Sequence, residues 1–169
     1  MHRFLVLLPL LAAFGAASAR ADELPIFDAH MHYSHDAWTV VPPAQVVDIL
    51  KKAGVKRVLW VGGAGGLEVK PGVQSVDTPE FPKDWKQGSL ATREALNLLR
   101  KEPSLDWSFL APSADLSPGQ RTGKFRLGTD QLLKDANGQS RISVEDYAMA
   151  MIDEVENPGH IRQRFTVGY

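Results

Sequence analysis

Two histidines two residues apart, in Asp28-Ala29-His30-Met31-His32, are the first residues of this sequence whose types and spacing could do chemistry. Side chains alternate across a strand, so His30 and His32 would share one face with Asp28. Two imidazoles on one face can chelate a divalent ion, and a catalytic zinc site adds a third protein ligand and a water. His35 and Asp36 in the following segment, and His160 far along the chain, are the residues available to extend such a set. The pair reads more readily as two solvent-facing histidines at a strand end, because an incomplete set of nitrogen ligands holds metal weakly. Ser34-His35-Asp36 spells the residue types of a hydrolytic triad, but consecutive residues cannot align as nucleophile, base and orienter. The second candidate is Gly62-Gly63-Ala64-Gly65-Gly66. From Gly63 it begins a G-x-G-x-x-G spacing, yet the last position is Glu68, and LEVKPGV after it is no helix. A dinucleotide fingerprint needs that helix N-terminus to hold the pyrophosphate, so the stretch reads as a strand-to-loop turn.

These residues are placed by an alternation of strands and helices. Pro25–His32 reads as a short strand, and Pro42-Pro43 opens a helix, where a missing N–H costs nothing. Val46, Ile49, Leu50 and Ala53 recur at helical spacing, and Gly54 sits where a left-handed cap ends the helix. KRVLWVGG is then a continuous apolar strand ending on the glycines, so this stretch forms a βαβ unit with parallel strands. Leu67 to Pro82 reads as a long loop with one short strand near Val73–Val76. A helix over Trp85–Lys101 and a buried strand over Leu105–Ala111 follow, the latter leading into Pro112-Ser113. Asn137-Gly138 marks a hairpin turn. Ser143 caps a last helix, with Asp146 as a weak form of the capping-box acid. Val144, Tyr147, Ala148, Met151, Ile152 and Val155 form its apolar stripe, and RFTVGY is a terminal strand. The fold class is α/β, with a mostly parallel sheet and flanking helices.

Composition narrows the function classes. The 169 residues are 44% hydrophobic, which suits one globular domain with a real core. A formal net charge of -1 and the lack of any basic run argue against a nucleic-acid partner. The chain has no cysteine, which excludes disulfides, thiolate catalysis and zinc-thiolate sites. The start MHR, the apolar run FLVLLPLLAAFGA and the small residues ASARA read as a secretory signal peptide over residues 1–21. Secretion or a periplasmic location follows, with no membrane span after cleavage.

PIFDAHMHYS resembles the opening of an amidohydrolase-type metal-dependent hydrolase, a family whose first barrel strand carries HxH. That resemblance covers about residues 24–58 and implies His30 and His32 as metal ligands. The stretch from about residue 45 to 169, overlapping the first, is similar to the C-terminal half of atypical short-chain dehydrogenase/reductases, nearest to NAD(P)H-binding, NADH-flavin reductase-like proteins. It rests on VGGAGGLEVKPGVQSVDTPEFP, LDWSFLAPS, RTGKFRLGTDQLL and SRISVEDYAMAMIDEVENPGHIRQRFTVGY. This second resemblance implies a Rossmann-like sheet. Gly62-Gly63 and Pro112-Ser113 would then be cofactor-binding positions at strand carboxyl ends. The tyrosine–lysine dyad of typical members is missing, because the resemblance aligns Lys86 and Leu90 with it when Glu94 takes the downstream glutamate.

Together the resemblances divide the chain at 1–21, 22–58 and 59–169, as a hydrolase-like first βα unit joined to half of an NAD(P)-binding, partial Rossmann-like domain. The function expected is an NAD(P)-binding, oxidoreductase-like protein that holds NAD(P)H weakly, because the first-strand glycine fingerprint is absent. Two other classes stay open. One is a metal-dependent hydrolase using zinc on His30 and His32, and the other is a non-catalytic fragment that self-associates through an open sheet edge.

Overall fold

The computed structural model describes residues 27–28 and 40–169. The expected signal peptide, His30, His32, His35 and Asp36, and most of the expected first strand lie outside the described residues. The central sheet has five strands: β1 (Phe27–Asp28), β2 (Arg57–Val61), β5 (Asp106–Ala111), β7 (Arg126–Gly128) and β9 (Gln163–Gly168). Their spatial order is β1-β2-β5-β9-β7. The first four run parallel, and β7 closes the far side antiparallel to β9.

Three helices supply the crossovers. Helix α1 (Pro43–Lys52) starts on proline as its sequence requires, and Gly54 ends it at φ +79°. Helix α2 (Lys83–Leu99) follows Pro82 and returns the chain from β2 to β5. Helix α3 (Val144–Glu156) has the cap expected of Ser143, whose Oγ accepts from the Asp146 N–H at 3.0 Å. The apolar strands bury both faces. Val58, Trp60, Trp107 and Phe109 pack with Ala95, Leu96 and Leu99 of α2, and α1 adds Val46, Val47 and Leu50. Leu59, Leu110, Phe165 and Val167 point the other way, onto Tyr147, Ala150 and Met151 of α3. Alternation along each strand produces this division, so the sheet carries helices on both faces, as parallel sheets require.

Several local expectations need correcting. The stretch read as a loop with one short strand holds two: β4 (Val73–Gln74) falls where that strand was expected, and it pairs antiparallel with β3 (Glu68–Lys70) across a turn in which Gly72 takes φ +75°. Asn137-Gly138 does make a tight turn, with Asp135 accepting from the Asn137 and Gln139 N–H groups. It joins no hairpin, because β8 (Arg141–Ser143) after it pairs in parallel with β6 (Asp115–Ser117). Asp146 does not reach back to its own cap. It accepts from the Thr122 and Gly123 N–H groups and from Tyr169 Oη, which fastens the 119–124 segment over α3.

Candidate active site

In an open α/β sheet, ligands bind outside the carboxyl ends of the strands. The turn after β2 and the segment after β5 meet there and bound a cleft of about 550 Å³. This volume falls within the usual range for small-molecule sites. Ala64 and Gly65 form one wall, Pro112, Ser113 and Ala114 another, and Ser75 and Thr78 come from the β4 side. Phe81, Pro82, Trp85 and Ser89, at the entry and first turns of α2, form the third.

The glycines expected at the site act by shape. Gly62 continues the ladder, its N–H donating to Leu110 O at 2.8 Å. A Cβ there would stand 2.2 Å from Phe109 Cε1, so only glycine lets the chain cross that buried ring. At Gly65 a Cβ would lie 2.6 Å from Ser89 Cβ. Gly62 and Gly63 thus build the turn, and the residues after them, Ala64 and Gly65, line the cleft. From β9, Arg164, 8% exposed, holds the far end of the turn: its Nη1 donates to Gly66 O at 2.7 Å, and its Nε donates to Asp130 Oδ1 at 2.9 Å.

Pro112 and Ser113 are both at the cleft, as expected. The Ser113 hydroxyl, however, donates inward to Val167 O at 2.9 Å and ties β5 to β9. A Cβ on Gly168 would come within 2.5 Å of that oxygen, which accounts for the glycine in the last strand.

The α2 face turned to the glycine turn carries Trp85, Ser89 and Thr92, the last in contact range of Gly63. Lys86 is exposed, Leu90 is half-buried, and neither lines the cleft. Tyr147 is no substitute for the missing tyrosine. It is buried, its hydroxyl donates to Leu110 O at 2.8 Å, and burial pushes its titration upward. The reading of the sequence did not single out Trp85 and Ser89 as site residues.

His160 lies elsewhere. Its Nδ1 donates to Glu154 Oε2 at 2.8 Å, and its ring stacks on Phe165 at 4.0 Å between centroids. Arg57 and Ser108 also donate to Glu154, at 2.8 and 2.7 Å. Arg57 opens β2, Ser108 lies in the amino-terminal half of β5, and His160 precedes β9. This polar knot is therefore at the opposite edge of the sheet from the cleft and locks α3 onto it. Burial would raise the Glu154 carboxyl, but hydrogen bonds from His160, Ser108, Arg57 and Gly159 bring it down to about 2. Among the described residues, no group of three or more His, Asp or Glu could hold a metal ion.

Comparison with known proteins places the chain in a family. A family model described as NAD(P)H-binding matches residues 12–158. YwnB, an uncharacterized protein of Bacillus subtilis, is 39% identical over 158 residues, spanning 92% of this chain and 67% of that protein. A solved structure of a Burkholderia pseudomallei protein assigned as exported is 49% identical with a TM-score of 0.72. It is matched over 79% of this chain and 65% of its own length, so the chain spans just under two thirds of it. SP1627 of Streptococcus pneumoniae, assigned as an NADH-flavin reductase, is 30% identical with a TM-score of 0.73, over 85% of this chain and 70% of its own. The family match runs through the stretch that resembles a hydrolase opening. None of these comparisons supports the amidohydrolase resemblance or a fusion of two parents.

Proposed function

The chain belongs to the NAD(P)H-binding family, and on that premise we propose that the cleft seats the nicotinamide end of NAD(P)H for hydride transfer to a small acceptor. One observation carries this reading: the cleft lies at the carboxyl ends of two adjacent parallel strands, with a glycine turn on one side and Pro112 on the other. The residues present fit a flat ring. Ala64, Gly65 and Ala114 leave small-residue walls, and Gly65 could carry no side chain without meeting Ser89.

When bound, the reduced nicotinamide supplies the hydride, and the protein supplies position and a closed pocket. The turn at Gly62–Gly66 and the segment Pro112–Ala114 would hold the ring between them. Arg164 fixes the turn from behind through Gly66. Phe81, Pro82 and Trp85 border the open side. Among the described residues, the Ser89 hydroxyl has no hydrogen-bond partner, and it lines the cleft. It is placed to donate to a polar atom of the acceptor and orient it. The likeness to the Streptococcus protein supports a reductase over other uses of the dinucleotide.

Titration of the purified chain with NADPH, followed by cofactor fluorescence, tests this reading. Saturable enhancement is the expected result, and an unchanged spectrum at millimolar cofactor would overturn it. Export is part of the proposal as well. It is supported by the basic-apolar-small pattern of residues 1–21 and by the Burkholderia relative, and among the described residues no helix is long and apolar enough to cross a membrane. N-terminal sequencing of the protein recovered from a periplasmic or culture fraction checks it.

A further inference from the structure

The walls of the cleft carry charge of one sign. Its two ionisable lining residues are Glu80 and Asp115, both exposed, and neither forms an ion pair among the described residues. No lysine or arginine lines it. Lys83 and Lys86 of α2 stay outside, and Lys124 and Arg141 line a separate pocket beyond Asp115. The cleft also holds an aromatic ring in the open. Trp85 is 64% exposed, whereas Trp60 and Trp107 in the core are 3% and 2% exposed. Leu116, 38% exposed, stands on the same rim. An indole left in water forgoes the large apolar burial that such a ring offers, unless a ligand covers it.

We propose that this cleft selects planar ring ligands that carry no negative charge, with Trp85 as the face on which the ring stacks. The inference rests on the reading of this cleft as the acceptor's site, and it adds the acceptor's chemical class. An indole face favours neutral or cationic rings and gives nothing to an anion. At an assumed separation of roughly 8 Å, two carboxylates acting through water would lower affinity about fivefold for each negative charge on a bound group at low ionic strength. Salt of 1 M shortens the screening length to about 3 Å and should abolish that difference.

Riboflavin and FMN share one ring system and differ by a phosphate, so they isolate the charge effect. Binding of each to the full chain is measured at low salt, with NADP⁺ present, through quenching of flavin fluorescence. Riboflavin should bind at least about fivefold tighter than FMN, whose phosphate carries more than one negative charge at neutral pH. The ratio should fall toward one in 1 M NaCl and in the double variant Glu80→Gln, Asp115→Asn. Trp85→Ala should weaken both flavins by about three- to tenfold, and Trp85→Phe should restore most of the loss. Equal or tighter binding of FMN, failure of riboflavin to bind, or an unaltered Trp85→Ala variant would each overturn the proposal. NADPH binding is read separately from cofactor fluorescence. Loss of that signal with the riboflavin preference intact would defeat the hydride-transfer reading while leaving the ring selectivity standing.

Discussion

Replacing Gly62 by alanine would place a methyl carbon 2.2 Å from Phe109 Cε1, with two more ring carbons of Phe109 within 2.8 Å. Phe109 is 2% exposed, packed in the core between β2 and α2, and has no free side to move toward. Overpacking of this kind costs about 1–3 kcal/mol. A contact with three ring atoms belongs at the upper end, about 3 kcal/mol. For a chain of this size each kcal/mol shifts Tm by roughly 2–4 °C, so Gly62→Ala should melt roughly 6–12 °C lower. Thermal unfolding followed by far-ultraviolet circular dichroism reads the shift. Gly54→Ala is the control: it faces open space and meets only the strain of φ +79°, worth about 1–2 kcal/mol. Combining Gly62→Ala with Phe109→Leu supplies the decisive comparison. If the clash is the cause, the double variant is less destabilised than the sum of the singles. Strict additivity, or a Gly62→Ala Tm within 1 °C of the parent, would refute the packing argument for this turn.

Three more outcomes follow from the same geometry. Gly65→Val should press on Ser89, costing about 1–3 kcal/mol of stability, and fill the cleft, reducing NADPH affinity of the folded protein at least tenfold by fluorescence titration. Ser89→Ala should keep cofactor affinity while lowering turnover with a carbonyl or quinone acceptor about three- to tenfold, the usual scale for one neutral hydrogen bond. Glu154 gives a pH signature. Its folded carboxyl titrates near 2 against 4.5 when unperturbed, so its stabilisation is complete above the unfolded value and disappears as pH falls from about 5 toward 2. Urea midpoints across that window should decline more steeply for the parent than for Glu154→Gln. At neutral pH that variant should itself lose on the order of 3 kcal/mol, because Arg57 is left buried without its carboxylate.

Long apolar runs made the architecture legible from residues alone. VLW and FLA can only be strands buried on both faces, and the stripe from Val144 to Val155 can only be a helix on a sheet. The helix starts at Pro43 and Ser143 were equally plain, since proline and serine act there through local chemistry. Short pieces were harder. β6, β7 and β8 are three residues each and owe their existence to partners distant in sequence, so no local pattern announces them. Asn137-Gly138 fixed a turn but not what the flanking strands pair with. At the site, Gly62, Gly63, Pro112 and Ser113 were named through the resemblance to short-chain reductases, at the carboxyl ends of their strands. Trp85 and Ser89 were not, because an exposed tryptophan on a polar helix face has meaning only once the glycine turn is seen opposite. The role of the Ser113 hydroxyl was likewise invisible, since it depends on the register of β9 against β5.

The central claim is that the turn after β2 and the segment after β5 together form a nicotinamide site. Parallel NADPH titrations of the parent and of Gly65→Val test it most directly, with circular dichroism confirming that both are folded. The account predicts saturable fluorescence enhancement for the parent and little or none for the variant. Equal binding by both would place the cofactor elsewhere, and no binding by either would contradict the assignment altogether.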